Sequence, residues 1–290
     1  MVTFFQLSVN GLAMGMIYAM ISIGLVLLIR AVGVLNFAQG DLVVLGAYAT
    51  YWLGVQLQLP LIAVVVAAII LFSIFALLFM MGVYYPVRNS SWAFAVIICT
   101  IGASSIINES VTAIWGSRII PIEPLVRGAV NIFGVPIEKQ LLLTIGVAIC
   151  IMVLVWLLFE KTFCGKIMLA AAQNRFAATL IGIPVMLTIA ITYILDMNIV
   201  GFAGYLVSPI LLLNTSLSSL QLKAFAGVVI GGYGSLKGSI IGSILIAMVE
   251  AYSSYVTTTY KDVFVFGVLI LVLLFRPQGL FQGTKVGEKA

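Results

Sequence analysis

Histidine is absent from the 290 residues, and Asp, Glu, Lys and Arg together make up only 8%. The first absence removes His-based acid/base catalysis, His metal sites and Ser-His-Asp triads at once. The second excludes more, because a soluble domain carries about 25% charged residues. So little charge rules out a soluble globular enzyme, a disordered chain and a nucleic-acid-binding domain. Cysteine is scarce as well. Cys99, Cys150 and Cys164 are scattered, sit in or beside apolar runs and form no CxxC or zinc spacing, so they read as small hydrophobes. What fills the chain instead is apolar residues, 63% of the total. Spanning a bilayer takes about 20 mostly apolar residues per helix. The chain is therefore nearly all membrane, with no room for a sizeable soluble domain.

Apolar runs cover roughly residues 4–29, 42–55, 61–84, 92–115, 141–159, 184–207, 240–255 and 263–275. The first is too long for a signal-peptide core and has no basic residue before it, so it reads as an uncleaved helix. The expected fold is an all-α polytopic membrane protein, one domain over residues 1–290. It has about eight transmembrane helices and a short, broken or re-entrant glycine-rich helix near residues 224–233. The tail at 281–290 is expected to fray. Lys and Arg in short loops set orientation. With the N-terminus outside and the C-terminus cytoplasmic, Arg30, Arg88, Lys161, Lys166, Arg175, Lys237, Arg276, Lys285 and Lys289 lie inside. Arg118, Arg127, Lys139, Lys223 and Lys261 lie outside. That count has the glycine-rich piece cross the membrane.

With so little charge, few places can carry chemistry. The hexapeptide Asn36-Phe37-Ala38-Gln39-Gly40-Asp41 interrupts apolar sequence. It is either an ordinary polar loop or a broken helix that presents free backbone groups and helix-end dipoles to a pathway. Asn36 or Asp41 is the expected cap of the next helix. In the second half, Gly231, Gly232, Gly234 and Gly238 fall within eight residues, too dense for a plain helix. No GxxxxGK[ST] spacing accompanies them. They make either a break lining the pathway or a tight turn with close helix packing. Asp196, with Asn198 beside it, sits inside a span. A charge at mid-bilayer costs at least about 2.5–3.5 kcal/mol, so Asp196 faces the bundle interior as a functional or structural acid. Glu109, next to Asn108, is expected nearer the outer surface, and Glu250 near a span end. Finally, residues 160–183 are basic. Met168, Ala172, Phe176 and Leu180 recur at i+4, with Lys166, Gln173 and Arg175 around them. This pattern is one short amphipathic helix, lying in headgroups or docked in a partner's groove.

Residues 36–41 with Leu45-Gly46-Ala47-Tyr48 resemble the N-F-A-H-G-[DE] signature of branched-chain amino acid ABC transporter permeases. Gly165-Lys166 through Gln173 to Leu180-Ile181-Gly182-Ile183 is similar to their G-R-A-x-R-A…L-x-G-I-N-V loop. Lys223-Ala224-Phe225 with Gly231-Gly232-Tyr233-Gly234-Ser235 and Gly238 resembles K-A-F…G-G-x-G-S-x-x-G. Tyr260-Lys261-Asp262 and Phe275-Arg276-Pro277-Gln278-Gly279-Leu280 match the family's last span and ending. Order and spacing agree over nearly the whole chain, and the resemblance is to the LivH-type subunit. Gln39 stands where His is usual, Lys166 and Leu169 replace two loop arginines, and Asp196-Met197-Asn198 is unusually polar.

The resemblance implies a permease subunit of an ATP-driven importer in a prokaryotic inner membrane, and not an enzyme. Its substrate would be branched-chain or related hydrophobic amino acids, with another small polar solute such as urea or amides as the alternative. It implies a second homologous permease, two cytoplasmic ATPase subunits carrying ATP and Mg, and an extracytoplasmic substrate-binding protein. This chain itself would hold no cofactor and no metal, and would bind no nucleic acid. Asn36, Gln39, Gly40, Asp41, Asp196, Asn198, Gly231, Gly232 and Gly234 would line the pathway. Lys166, Met168, Gln173, Arg175, Phe176 and Leu180 would couple it to the ATPases. The rival reading is a stand-alone secondary transporter using Asp196 and Glu109 as ion sites.

Overall fold

The computed structural model describes residues 2–33, 35–88, 90, 92, 94–132 and 134–281. Its helices are α1 (Val2–Val32), α2 (Gln39–Tyr51), α3 (Leu61–Phe79), α4 (Tyr85–Val87), α5 (Ala95–Trp115), α6 (Lys139–Lys161), α7 (Phe163–Gln173), α8 (Arg175–Leu180), α9 (Val185–Leu211), α10 (Leu220–Gly231), α11 (Leu236–Val256) and α12 (Lys261–Phe275). π-helical turns at Trp52–Gln56 and Met80–Tyr84 prolong α2 and join α3 to α4. Nearly all of the tail expected to fray, with Lys285 and Lys289, lies outside the described residues.

Among the described residues, six helices are long and apolar enough to cross a membrane, rather than the eight expected. The two that fall short are α2 and α12; α2, α10 (the short piece expected besides the eight) and α12 have 13, 12 and 15 residues. At 1.5 Å per residue they are about 20, 18 and 22 Å long, against an apolar bilayer core of about 30 Å. The all-α expectation also needs amending. Strand β1 (Ala129–Ile132) pairs antiparallel with β2 (Val135–Glu138) in a small hairpin between α5 and α6. A single bridge, Ile120 to Leu213, ties the loop after α5 to the end of α9.

Helix α1 is apolar on every side, and such a helix belongs in the interior. It sits against α6, α9, α10 and α11, with Ile17, Tyr18, Met20, Ile21, Leu25 and Leu27 buried. Its Ser22 hydroxyl donates to the Ala224 carbonyl at 2.8 Å and shares a 2.7 Å hydrogen bond with Ser243. Helix α3 is equally apolar but peripheral. Ile62, Val66, Ile70 and Ile74 form an exposed stripe at i+4 spacing, which suits contact with lipid.

Small residues let the short helices approach closely. A Cβ on Gly46 would lie 2.3 Å from Gly201 Cα, and one on Gly204 2.2 Å from the Val43 carbonyl. With Gln39 on Asp196 and Gly46 on Gly201, α2 runs parallel to α9 and starts near its midpoint. On the other side, Gly231 packs on Gly238 and Gly227 on Ser243. That register makes α10 and α11 an antiparallel hairpin, and α10 starts about two turns short of the far end of α11. Two helices therefore begin inside the bundle instead of at its rim.

Candidate functional site

The start of α2 leaves N–H groups without helical partners. Neither Asn36 nor Asp41 caps it in the expected way. The cap position is Ala38, which has no side-chain cap bond. Asn36 Oδ1 instead accepts the Ala38 N–H at 3.0 Å. Gln221, in the first turn of α10, supplies the rest. Its Oε1 accepts the Gly40 N–H at 2.7 Å, and its amide donates to the Asn36 carbonyl at 3.2 Å. One side chain thus joins the two internal helix starts.

Around this joint lies a buried polar cluster. Asn36, Gln39, Asp41 and Asp196 are each at most 4% exposed. Gln39 Nε2 donates to Asp196 Oδ1 at 2.6 Å, and Asn36 Nδ2 donates to Gln39 Oε1 at 3.3 Å. Gly24 of α1 closes the site from behind, since a Cβ there would stand 2.2 Å from Asp196 Oδ1. Asp196 Oδ2 has no hydrogen-bond partner among the described residues. Asp41 turns the other way. Its carboxylate accepts from the Ser104 hydroxyl and from Asn108 Nδ2 at 2.8 Å, both on α5. The Phe37 N–H donates to Thr100 Oγ1 at 3.2 Å on the same helix. Five residues of the interruption, Asn36, Phe37, Gln39, Gly40 and Asp41, therefore hold α5, α9 and α10 together. Two N-terminal helix ends bring their positive dipole ends to one place, an arrangement that suits a polar solute inside a membrane.

The remaining expected residues lie elsewhere. Asn198 does not join Asp196. It donates to Ser73 Oγ at 3.1 Å and to the Ile194 carbonyl at 2.8 Å, toward α3. Gly231, Gly232 and Gly234 form the α10–α11 turn, at the opposite end of α10 from the cluster. Gly232 has φ +109°, and a Cβ there would meet the Phe281 carbonyl at 1.8 Å. Leu280 and Phe281 donate their N–H groups to the carbonyls of Ile230 and Gly231, at 2.7 and 3.1 Å. These glycines serve a turn and close backbone packing. Glu109 is exposed while its neighbour Asn108 points inward.

The basic segment is two helices, not one. Asn174 stops α7 and caps α8, accepting the Ala177 N–H at 2.9 Å. The expected stripe is split by that break. Met168 is packed inside at 5% exposure, whereas Phe176 and Leu180 are 75% and 73% exposed. Lys166 and Gln173 are exposed. Arg175 opens α8, but its side chain lies outside the described residues.

Sequence reasoning missed Gln221, Thr100, Ser104 and Ser73. A lone Gln in an uncharged loop carries no signal. The run Ser104, Ser105, Asn108 and Glu109 in an apolar helix was one, and only Glu109 with Asn108 was singled out from it.

A many-helix membrane bundle with two internal helix starts around a buried polar cluster defines a membrane transport subunit. Residues 7–273 match the family described as the branched-chain amino acid transport system permease component, and the chain belongs to it. The high-affinity branched-chain amino acid permease LivH of Salmonella typhimurium is 30% identical over 98% of this chain and 97% of its own length. The corresponding BraD protein of Pseudomonas aeruginosa shows the same identity and coverage. A solved structure, PsaBC from Streptococcus pneumoniae in complex with Fab, superposes with a TM-score of 0.53 at 14% identity, over 93% of this chain and 91% of that one. At that identity the likeness is one of fold.

Proposed function

We propose that this chain forms the translocation pathway of an ATP-driven importer for branched-chain or related hydrophobic amino acids, in a prokaryotic inner membrane. The observation that carries the reading is the joint of α2 and α10. Two helices start inside the bundle at a shared polar cluster, and Gln221 bridges their ends. Helix starts held by side chains can exchange partners without unwinding a span, as alternating access requires. In this reading the N-terminus of α1 is outside and the C-terminus cytoplasmic. A second related permease completes the pathway, and a binding protein delivers substrate from outside. Helix α8 is the ATPase contact, with Phe176 and Leu180 as the apolar knobs and Met168 fixing α7 to the bundle. Closure of two ATPase subunits on ATP and Mg would push α7 and α8. The push would then reach α1, α6 and α9, which α7 touches. The family membership and the LivH and BraD similarities support the substrate class.

Phe176→Glu with Leu180→Glu tests the reading. Both side chains are exposed, so the permease should still accumulate in the membrane. ATPase subunits should no longer co-purify, and ATP-dependent uptake should fall at least tenfold. Retained ATPase binding and uptake would refute α8 as the coupling element.

A further inference from the structure

A second charged region lies apart from the central cluster, at the end of the bundle where α1 and α12 begin and α11 finishes. Lys223 Nζ sits 2.5 Å from Glu250 Oε1 and 3.0 Å from Asp262 Oδ1. Lys261 Nζ reaches the same Glu250 oxygen at 3.2 Å. Tyr18 donates to Glu250 Oε2 at 2.6 Å. Lys223 and Glu250 are largely buried, while Lys261 and Asp262 are partly open. Tyr18, Lys223, Glu250 and Lys261 line a cavity of about 370 Å³ between α1, α10, α11 and the 3-10 turn Thr215–Ser219, and Asp262 stands behind Lys223. That volume is within the range of about 300–1,000 Å³ typical of small-molecule pockets. Leu7, Met14, Leu211, Leu217 and Leu220 also line it, interspersed with asparagine and serine side chains.

We infer that this cavity is a binding site for a zwitterionic aliphatic amino acid, a site on the delivery side distinct from the polar joint of α2 and α10. The inference rests on the importer reading and deepens it. Three features set the chemistry. Two lysines and two acids sum to zero, so the site suits a solute carrying both charges and no net charge. The leucine and methionine side chains of the lining offer a place for an apolar side chain, and its asparagines and serines offer further polar contacts. Within the cluster, one oxygen of Glu250 serves two ammonium groups. An arriving ammonium displaces the more exposed of them, Lys261, whose pairing in water is weak. The freed Lys261 then takes the substrate carboxylate. Lys223, held by Asp262 as well, stays in place as the fixed cation. The exchange conserves charge pairing at every step.

Equilibrium binding of radiolabelled leucine to the assembled, purified transporter tests this, with leucinamide, which lacks the carboxylate, as competitor. Lys261→Gln should weaken leucine binding at least tenfold and abolish the preference for leucine over leucinamide. Leu217→Trp, which fills the cavity, should remove leucine binding while the complex still assembles. If both variants bind and import leucine as the parent does, the cavity is not a substrate site. Equal loss of leucine and leucinamide in Lys261→Gln, together with a lower melting temperature, would mark the cluster as a structural clamp and also overturn the inference. Failure of the parent complex to import any amino acid would instead overturn the importer reading itself.

Discussion

The interruption before α2 and the turn after α10 both break the helical backbone, and they do it with different materials. At the first, side chains from three elements satisfy the open backbone: Asn36 locally, Gln221 across from α10, and Thr100 from α5. At the second, backbone lies on backbone, Gly231 on Gly238 and Gly232 on Phe281. Side-chain amides can trade partners at little cost, since one interhelical hydrogen bond in a membrane protein is worth about 0.6 kcal/mol on average. Backbone packed to van der Waals limits has one arrangement. The first region is thus built to rearrange and the second to hold.

The contrast breaks most severely at the glycines. Gly231→Val places a methyl-bearing carbon about where Gly238 O now sits, with Cβ 2.1 Å from that oxygen. The cost is about 3 kcal/mol, the upper end for overpacking. Little full-length protein should accumulate in membranes on quantitative immunoblotting. Gly267→Ala has nothing within 4 Å of the new carbon and should leave the level unchanged. Next in size is Asp41→Ala, which removes both bonds to α5 and should cost about 1–3 kcal/mol. Unfolding of the purified protein in detergent would read the loss, and a change within error would mean that the Asp41 bonds do not hold α5. The smallest stability effect belongs to Asp196→Asn. It keeps an oxygen for Gln39 and loses only the charge, so stability should move by about 1 kcal/mol or less. Uptake should nevertheless weaken, and unchanged uptake would class Asp196 with the structural acids.

Much of this was legible from residue types. The polar hexapeptide, the two interruptions, the buried acid and the exposed apolar residues of the basic segment stand out because an apolar chain makes polar residues conspicuous. What failed were inferences that need geometry. Asp196 and Asn198 look like neighbours, yet two residues turn a helix by about 200°, so they face α1 and α3 respectively. The same arithmetic separates Asn108 from Glu109. Asn174 is unremarkable in sequence until it is seen capping α8. The hairpin at β1 and β2 is too short for its periodicity to register. Six described helices have the length of a full span where eight were expected, because a half-length helix and a full one share composition and differ only in where neighbours let them start.

The carbonyls of Ile230 and Gly231 find their donors on Leu280 and Phe281, fifty residues further along. During synthesis, α10 and α11 therefore enter the membrane before the groups that seal their turn exist. The hairpin must wait with two open acceptors until residue 281 has emerged. A nascent chain stalled in α12 would leave that end unfinished, a mark by which quality-control proteases could tell an incomplete subunit from a finished one.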